Sequence, residues 1–365
     1  MYNWQLENWP EFTFSVGGLQ EIAIAFAKES GLVNGLMLGL NEQTKQETLL
    51  EILVSEAIKT SEIEGEYLSR EDVMSSIKNN LGIDHKPLVK DKRALGVSKL
   101  MTEVYNNFDQ PLTNELLQNW HRSLMSYDVN INAGAWRSDL APMQIISGHY
   151  GKVEIQFEAP PSVEVDKEMR RFITWYQEPN YQLNDPVSAA LLKSAIAHLY
   201  FESIHPFEDG NGRIGRALAE FTLSQSLQMQ VSLSLSKTIE KNKKLYYEAL
   251  KSGQSSLAIS DWVLYFAGVI LDAQIDAKEM VQFTLRKAKF FDKYAQLLND
   301  RQSKAINRML ENGTSGFTGG MTAKKYMAIT KTSKATATRD LQQLQELGAL
   351  LQKGEGRSVS YDILM

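Results

Sequence analysis

Apolar residues along most of this chain recur at helical spacing. Ile214, Ala217, Leu218 and Phe221 fall at i, i+3, i+4 and i+7, which predicts a helix. The run 187–204 predicts another, with Asp185 as its N-cap and Pro186 as its first residue. Similar patterns predict helices over 19–29, 43–62 and 163–176. Ser69 with Asp72 reads as a capping box for a helix ending near Leu81-Gly82, and 84–93 reads as a polar loop. Thr113 caps a helix through His121 and Leu124, and Ser236 caps one holding Asn242, Tyr246 and Tyr247. Toward the C-terminus, 261–297 is largely helical, and helices follow over 305–310, 323–329 and 333–347, the last stopped by Gly348. Strand-like runs are few. The runs 143–147 and 153–157, separated by Gly148-His149-Tyr150-Gly151, predict a hairpin with a four-residue turn. The runs 350–353 and 358–363 predict a second ribbon. The expected fold is mainly α.

Composition narrows the picture a little. A length of 365 residues suits two or three domains. The net charge of −5 gives no global case for nucleic acid, and the lack of cysteine excludes disulfides and thiolate metal sites. The first twelve residues lack the basic-then-apolar pattern of a signal peptide, and no apolar run reaches the ~18 residues that span a bilayer. The expectation is a soluble, cytoplasmic protein without membrane partners. Trp4, Trp9, Pro10 and Phe12 open the chain and are expected to pack on the helices that follow.

The chemistry concentrates in the tight loop between the helix 187–204 and the one holding Ile214 to Phe221, in His205-Pro206-Phe207-Glu208-Asp209-Gly210-Asn211-Gly212-Arg213-Ile214-Gly215-Arg216. Gly210 and Gly212 permit unusual dihedrals and close approach to a ligand, at a helix N-terminus that attracts anions. Arg213 and Arg216 lie one turn apart and share a face. Cations there oppose the helix dipole, a conflict that a bound polyphosphate removes. Asp209 is placed to hold Mg2+ against such phosphates, and His205 to act as a general base. A short glycine pattern alone would read as a solvated turn; twelve residues together are far more specific. His121 and His198 have no second ligand at metal spacing and read as structural. Glu64, before the helix-ending Gly65, reads by itself as an exposed last-turn carboxylate.

The string resembles the signature of Fic domains, H-P-F-x-D/E-G-N-G-R-x-x-R, at every position. The resemblance implies a Fic-type helical core with a β-hairpin flap, and a protein adenylyltransferase that moves AMP from ATP to a Ser, Thr or Tyr hydroxyl of a target protein, itself included. By resemblance His205 deprotonates the hydroxyl, Asp209 binds Mg2+, and Gly210, Asn211, Gly212, Arg213, Ile214, Gly215 and Arg216 hold the ATP phosphates. Asn242, Tyr246 and Tyr247 stand where the family lines its adenine pocket, while Gln254 replaces an Asn that relatives often carry. Gln144, Ile145, Ile146, Ser147 and Gly148 correspond to the target-docking flap. Thr60, Glu64 and Gly65 match the inhibitory pattern S/T-x-x-x-E-G/N, whose glutamate pairs with the second motif arginine, Arg216 here. A homodimer is expected by analogy.

The C-terminal pattern of three helices and a ribbon resembles a winged helix-turn-helix, with seven Lys/Arg against four Asp/Glu from Met321 onward. Lys331, Lys334, Thr336, Thr338 and Arg339 would face DNA, with Arg357 on the wing. The expected division is an N-terminal helical domain with the inhibitory helix (1–110), a Fic core (111–275), a helical connector (276–300) and a winged helix (301–365). Three readings stay open: a self-inhibited AMP-transferase, a DNA-binding regulator whose core senses a nucleotide, and an enzyme that removes AMP.

Overall fold

The structure is a computed structural model that describes all residues except 84–88, 150–151, 180 and 312; the side chains of 146–149, 152–154, 315 and 357 are likewise outside the description. Fourteen α-helices and four short strands make up the described residues. In order they are α1 (Leu19–Leu38), α2 (Glu42–Ile63), α3 (Arg70–Asn80), α4 (Lys92–Asn106), α5 (Asn114–Met125), β1 (Gln144–His149), β2 (Lys152–Glu158), α6 (Ser162–Gln177), α7 (Pro186–Ile204), α8 (Asn211–Ser226), α9 (Leu235–Lys241), α10 (Lys243–Gly253), α11 (Ser260–Tyr294), α12 (Asp300–Leu310), α13 (Ala323–Thr330), α14 (Lys334–Glu346), β3 (Leu350–Lys353) and β4 (Ser360–Ile363). No helix among the described residues is long and apolar enough to cross a membrane.

The chain divides into two units. Residues 1–32 and 49–277 form one; 33–48 and 278–365 form the other. In the first, α7 is the central element. Its Tyr200, Phe201 and Ile204 enter a core with Trp120, Phe172, Phe207 and Phe221, and its Leu191, Leu192 and Ile196 enter a second core with Phe26, Trp262 and Phe266. Burying both faces requires a helix apolar all round, which is what the sequence of α7 supplies. Asp185 caps it through the N–H groups of Val187 and Ser188, with Pro186 at the first position. The aromatic start packs as expected: Trp9 is buried and its indole N–H donates to Glu168 Oε2 at 2.8 Å.

In the second unit α12, α13, α14 and the ribbon enclose Ile306, Met309, Tyr326, Leu341, Leu344 and Tyr361. Asp340 accepts from Arg301 Nε at 2.8 Å and from the Tyr326 hydroxyl at 2.9 Å, cross-tying three helices.

Several local expectations change: α1 runs on to Leu38 and α12 begins at Asp300. Ser234, not Ser236, caps α9, accepting from Lys237 N–H at 3.3 Å, while Asn242 caps α10. Ser236 is instead drawn inward to a buried carboxylate, Glu56. The first hairpin is paired further than the pattern suggested, to His149 opposite Lys152, with an irregularity between Ile145 and Ile146. The helix α4, capped by Asp91, begins inside the run read as a loop.

Candidate active site

The twelve-residue string forms the turn from α7 into α8. His205 is the C-cap of α7 in the left-handed region (φ 51°), a conformation that costs a non-glycine residue energy unless its surroundings hold it. Arg137 does so. Its backbone N–H donates to Pro206 O at 2.9 Å, its Nε to His205 O at 2.7 Å and its terminal nitrogen to Ile204 O at 3.3 Å and Pro160 O at 2.5 Å. One buried guanidinium thus collects the carbonyls that the end of α7 leaves over. Gly210 is the N-cap of α8, also left-handed (φ 79°), where glycine carries no steric penalty.

Asn211 braces the loop internally. Its Oδ1 accepts from Phe207 N–H at 2.9 Å and its Nδ2 donates to Phe207 O at 2.8 Å. Both polar atoms of the side chain are therefore engaged within the loop. Phe207 stacks on His121 with centroids 3.9 Å apart and planes 12° apart. His121 Nδ1 accepts from Gly134 N–H at 2.8 Å, and burial pushes its pKa down to about 4, so the ring is neutral and structural.

At the start of α8, Ile214 is the first residue whose N–H turns back onto a preceding carbonyl, Gly210 O at 3.0 Å. Ahead of it lies the anion-attracting end of the helix. A carboxylate stands there: a Cβ on Gly212 would collide with Glu64 Oε1. Glu64 follows α2, in the turn closed by Gly65 (φ 82°). Its Oε1 accepts from the Arg216 terminal nitrogen at 2.8 Å. Arg216 is 1% exposed and also donates from Nε to Thr60 Oγ1 and from its terminal nitrogen to Thr60 O, both at 2.9 Å. Burial opposes its charge, but Glu64 more than compensates, holding the guanidinium pKa above its usual value.

Arg213 has a partner the sequence reading did not name. Its terminal nitrogen donates to Glu66 Oε2 at 2.9 Å, and Glu66 Oε1 accepts from the Tyr127 hydroxyl at 2.9 Å. Arg213 also lies 3.6 Å from Asp209 Oδ2. Asp209 is more than half exposed, and its Oδ1 accepts from Gly210 N–H at 2.6 Å. Glu202 was equally unmarked. Its carboxylate is buried beneath His205, with Oε2 3.7 Å from His205 Nδ1. The only sequence cue was its position three residues before His205 on the same helix.

The two tyrosines separate. Tyr246 is buried, its hydroxyl 2.9 Å from His198 Nε2, whereas Tyr247 is 39% exposed and meets Tyr246 edge-on at 5.1 Å. Asn242 is exposed and caps α10. Gln254 is buried and donates to Glu202 O at 3.0 Å, which gives it a structural task. Gln144 to Ser147 lie on β1 as expected, and Gly148, read as the start of the turn, lies on it too; Gln144 Nε2 donates to Glu158 Oε2 at 2.7 Å. On the side of Arg216, Glu56 of α2 accepts from Ser234 Oγ at 2.7 Å and Ser236 N–H at 2.9 Å, and Glu220 of α8 accepts from Leu235 N–H at 3.1 Å. Burial raises the pKa of both, Glu220 well above the carboxylate range with Glu56 adding to the rise.

The Fic/DOC family model matches residues 111–223, and a domain of unknown function (DUF4172) matches residues 2–83. A probable protein adenylyltransferase of Aquifex aeolicus is 27% identical over 207 residues, covering 53% of this chain and 58% of that protein. A protein adenylyltransferase Fic of Nematostella vectensis is 23% identical over 168 residues, covering 45% and 36%. The chain thus spans roughly half or less of the curated relatives it matches. A Fic family protein of Desulfovibrio desulfuricans G20 shares the fold at TM-score 0.54 and 21% identity, over 97% of this chain and 98% of that one. A Fic domain containing signaling protein of Bacteroides thetaiotaomicron does so at 0.53 and 16%, over 72% and 97%. The signature loop thus lies within the Fic/DOC domain that the family model matches at residues 111–223, and the fold is that of Fic family proteins.

Proposed function

We propose that the protein transfers AMP from ATP to a hydroxyl side chain of a protein target, and that Glu64 holds it in check. The observation that carries the reading is the carboxylate of Glu64 resting at the N-terminus of α8 and bound to Arg216, where an incoming polyphosphate would need both the helix end and the cation. In the active arrangement the helix amides and Arg213 and Arg216 would neutralise the phosphates and the departing pyrophosphate. His205 Nε2 takes the hydroxyl proton as the oxygen bonds the α-phosphorus and the bond to pyrophosphate breaks. Tyr247, with its ring partly open, is the better placed of the two tyrosines to meet a base.

Asp209 fits Mg2+: the carboxylate is solvent-facing, and that ion prefers one or two carboxylates with phosphate oxygens and water. When bound, the ion supplies charge neutralisation on the phosphates. The two-stranded sheet leaves each strand one edge outside the ladder, which suits backbone pairing with a target segment of any sequence.

The test is incubation with labelled ATP and Mg2+. Glu64→Gly should transfer label to a protein substrate or to itself, wild type less, and Glu64→Gly combined with His205→Ala none. Transfer that survives loss of His205 would refute the mechanism. A second reading, DNA binding by the C-terminal unit, rests on the exposed face of Lys331, Lys334, Thr338 and Arg339, with Thr336 half-buried. The side chain of Arg357 lies outside the described residues. A mobility shift with duplex DNA that weakens as salt rises would support that reading, and no shift at low salt would exclude it.

A further inference from the structure

We propose that Glu202 is a positioning residue for His205, fixing the imidazole so that Nε2 presents its lone pair to the target hydroxyl. The inference rests on the reading of His205 as the base. Glu202 is 3% exposed, yet among the described residues its Oε1 has no hydrogen-bond partner within reach. A carboxylate in such a place costs several kcal/mol unless something charged or N–H-bearing faces it. What faces it is His205. Oε2 lies 3.7 Å from Nδ1, and Nδ1 is itself buried and has no other partner among the described residues.

The surroundings are arranged for this encounter. Gly215 of α8 leaves room for the carboxylate; a Cβ there would collide with Glu202 Oε1. His198, one turn back on α7, directs its Nε2 to the Tyr246 hydroxyl and so does not claim the carboxylate through that nitrogen. The backbone of His205 is pinned by Arg137 in its left-handed turn, which limits where the ring can go. Burial pushes the Glu202 pKa up, but His205, His198 and Arg216 outweigh it and hold it below the usual value, so the group is ionised.

An ionised carboxylate only accepts hydrogen bonds. Beside Nδ1 it favours the tautomer with hydrogen on Nδ1, which leaves Nε2 unprotonated and basic. When Nε2 takes the hydroxyl proton, the imidazolium charge forms next to the carboxylate. Glu202 keeps its own charge throughout and accepts no proton, as the acid of a Ser-His-Asp triad does. The separation exceeds a hydrogen bond by several tenths of an ångström, as catalytic contacts often do before substrate arrives.

The test uses Glu202→Gln and Glu202→Asp, each made with Glu64→Gly to expose activity. Glu202→Gln is expected to lower kcat about tenfold or more with KM for ATP unchanged. Glu202→Asp should restore part of the loss. Nitrogen-15 spectra of histidine-labelled protein should show His205 as the Nδ1–H tautomer with Glu202 present and a mixture in Glu202→Gln. An unchanged kcat, or an unchanged tautomer, would overturn the proposal, and for a Glu202→Gln protein that fails to fold the same two readings on Glu202→Asp decide it. If no variant transfers AMP, the functional reading fails, while the tautomer still judges Glu202.

Discussion

Removing the carboxylate of Glu64 should convert a guarded nucleotide site into an open one. Arg216 makes three hydrogen bonds to α2 and its turn, and only the one to Glu64, at 2.8 Å, joins opposite charges. A hydrogen bond to a charged group contributes about 1.5–3 kcal/mol. Glu64 is 30% exposed, so solvent screening favours the low end, about 1.5–2 kcal/mol. On the proposed reading ATP seated productively has to break that contact, so its loss in Glu64→Gly should tighten binding roughly 10- to 30-fold. Glycine follows the last residue of α2 and should not disturb the helix. The apoprotein, left with a less compensated buried cation, should melt at lower temperature, and saturating ATP should raise the melting point more than in wild type. Isothermal titration with a non-hydrolysable ATP analogue measures the affinity. A Kd within twofold of wild type, together with no gain in AMP transfer, would refute the reasoning.

Glu66→Gln should loosen Arg213 from its carboxylate partner and add to the gain of Glu64→Gly, read as a further several-fold rise in transfer by the double variant over Glu64→Gly. Asn211→Ala removes both side-chain bonds to the Phe207 backbone and should cost about 2–3 kcal/mol in stability, measured by denaturant melts, with a loss of ATP binding. Glu220 has a raised pKa in the fold, so the folded state holds a proton that the unfolded chain releases above its ordinary carboxylate pKa; stability is full below about 4.5 and falls as pH rises toward the folded value. Melting curves against pH should show that fall in wild type and flatten in Glu220→Gln. His121 runs the other way: neutral in the fold, it favours folding above pH 6.5 and loses that contribution as pH falls toward about 4, a slope His121→Asn should remove.

The helices with local signals could be read from the sequence. Asp185-Pro186 and Thr113 cap where expected, because a cap acts on amides two or three residues away. The signature string supplied its own loop for the same reason. Contacts across long stretches of chain could not be read this way. Glu66 lies 147 residues from Arg213, and nothing local distinguishes it from the acids around it. Glu56 misled the reading of Ser236, since a serine just inside a helix looks like a cap until a buried carboxylate elsewhere claims it. The charged run 90–93 hid the start of α4, whose cap, Asp91, looked like one more loop residue. The pair Tyr246 and Tyr247 looked equivalent because helical neighbours differ only in which way the packed core lies.

The loop between α7 and α8 is held from within and from its flanks: Asn211 ties Phe207, His121 stacks against that ring and Arg137 gathers the carbonyls. On the proposed reading, a nucleotide arriving here would find a finished mould and lose little freedom of chain in filling it. Control would then work not by keeping the mould unformed but by keeping it full, with the acidic turn after α2 as the filling.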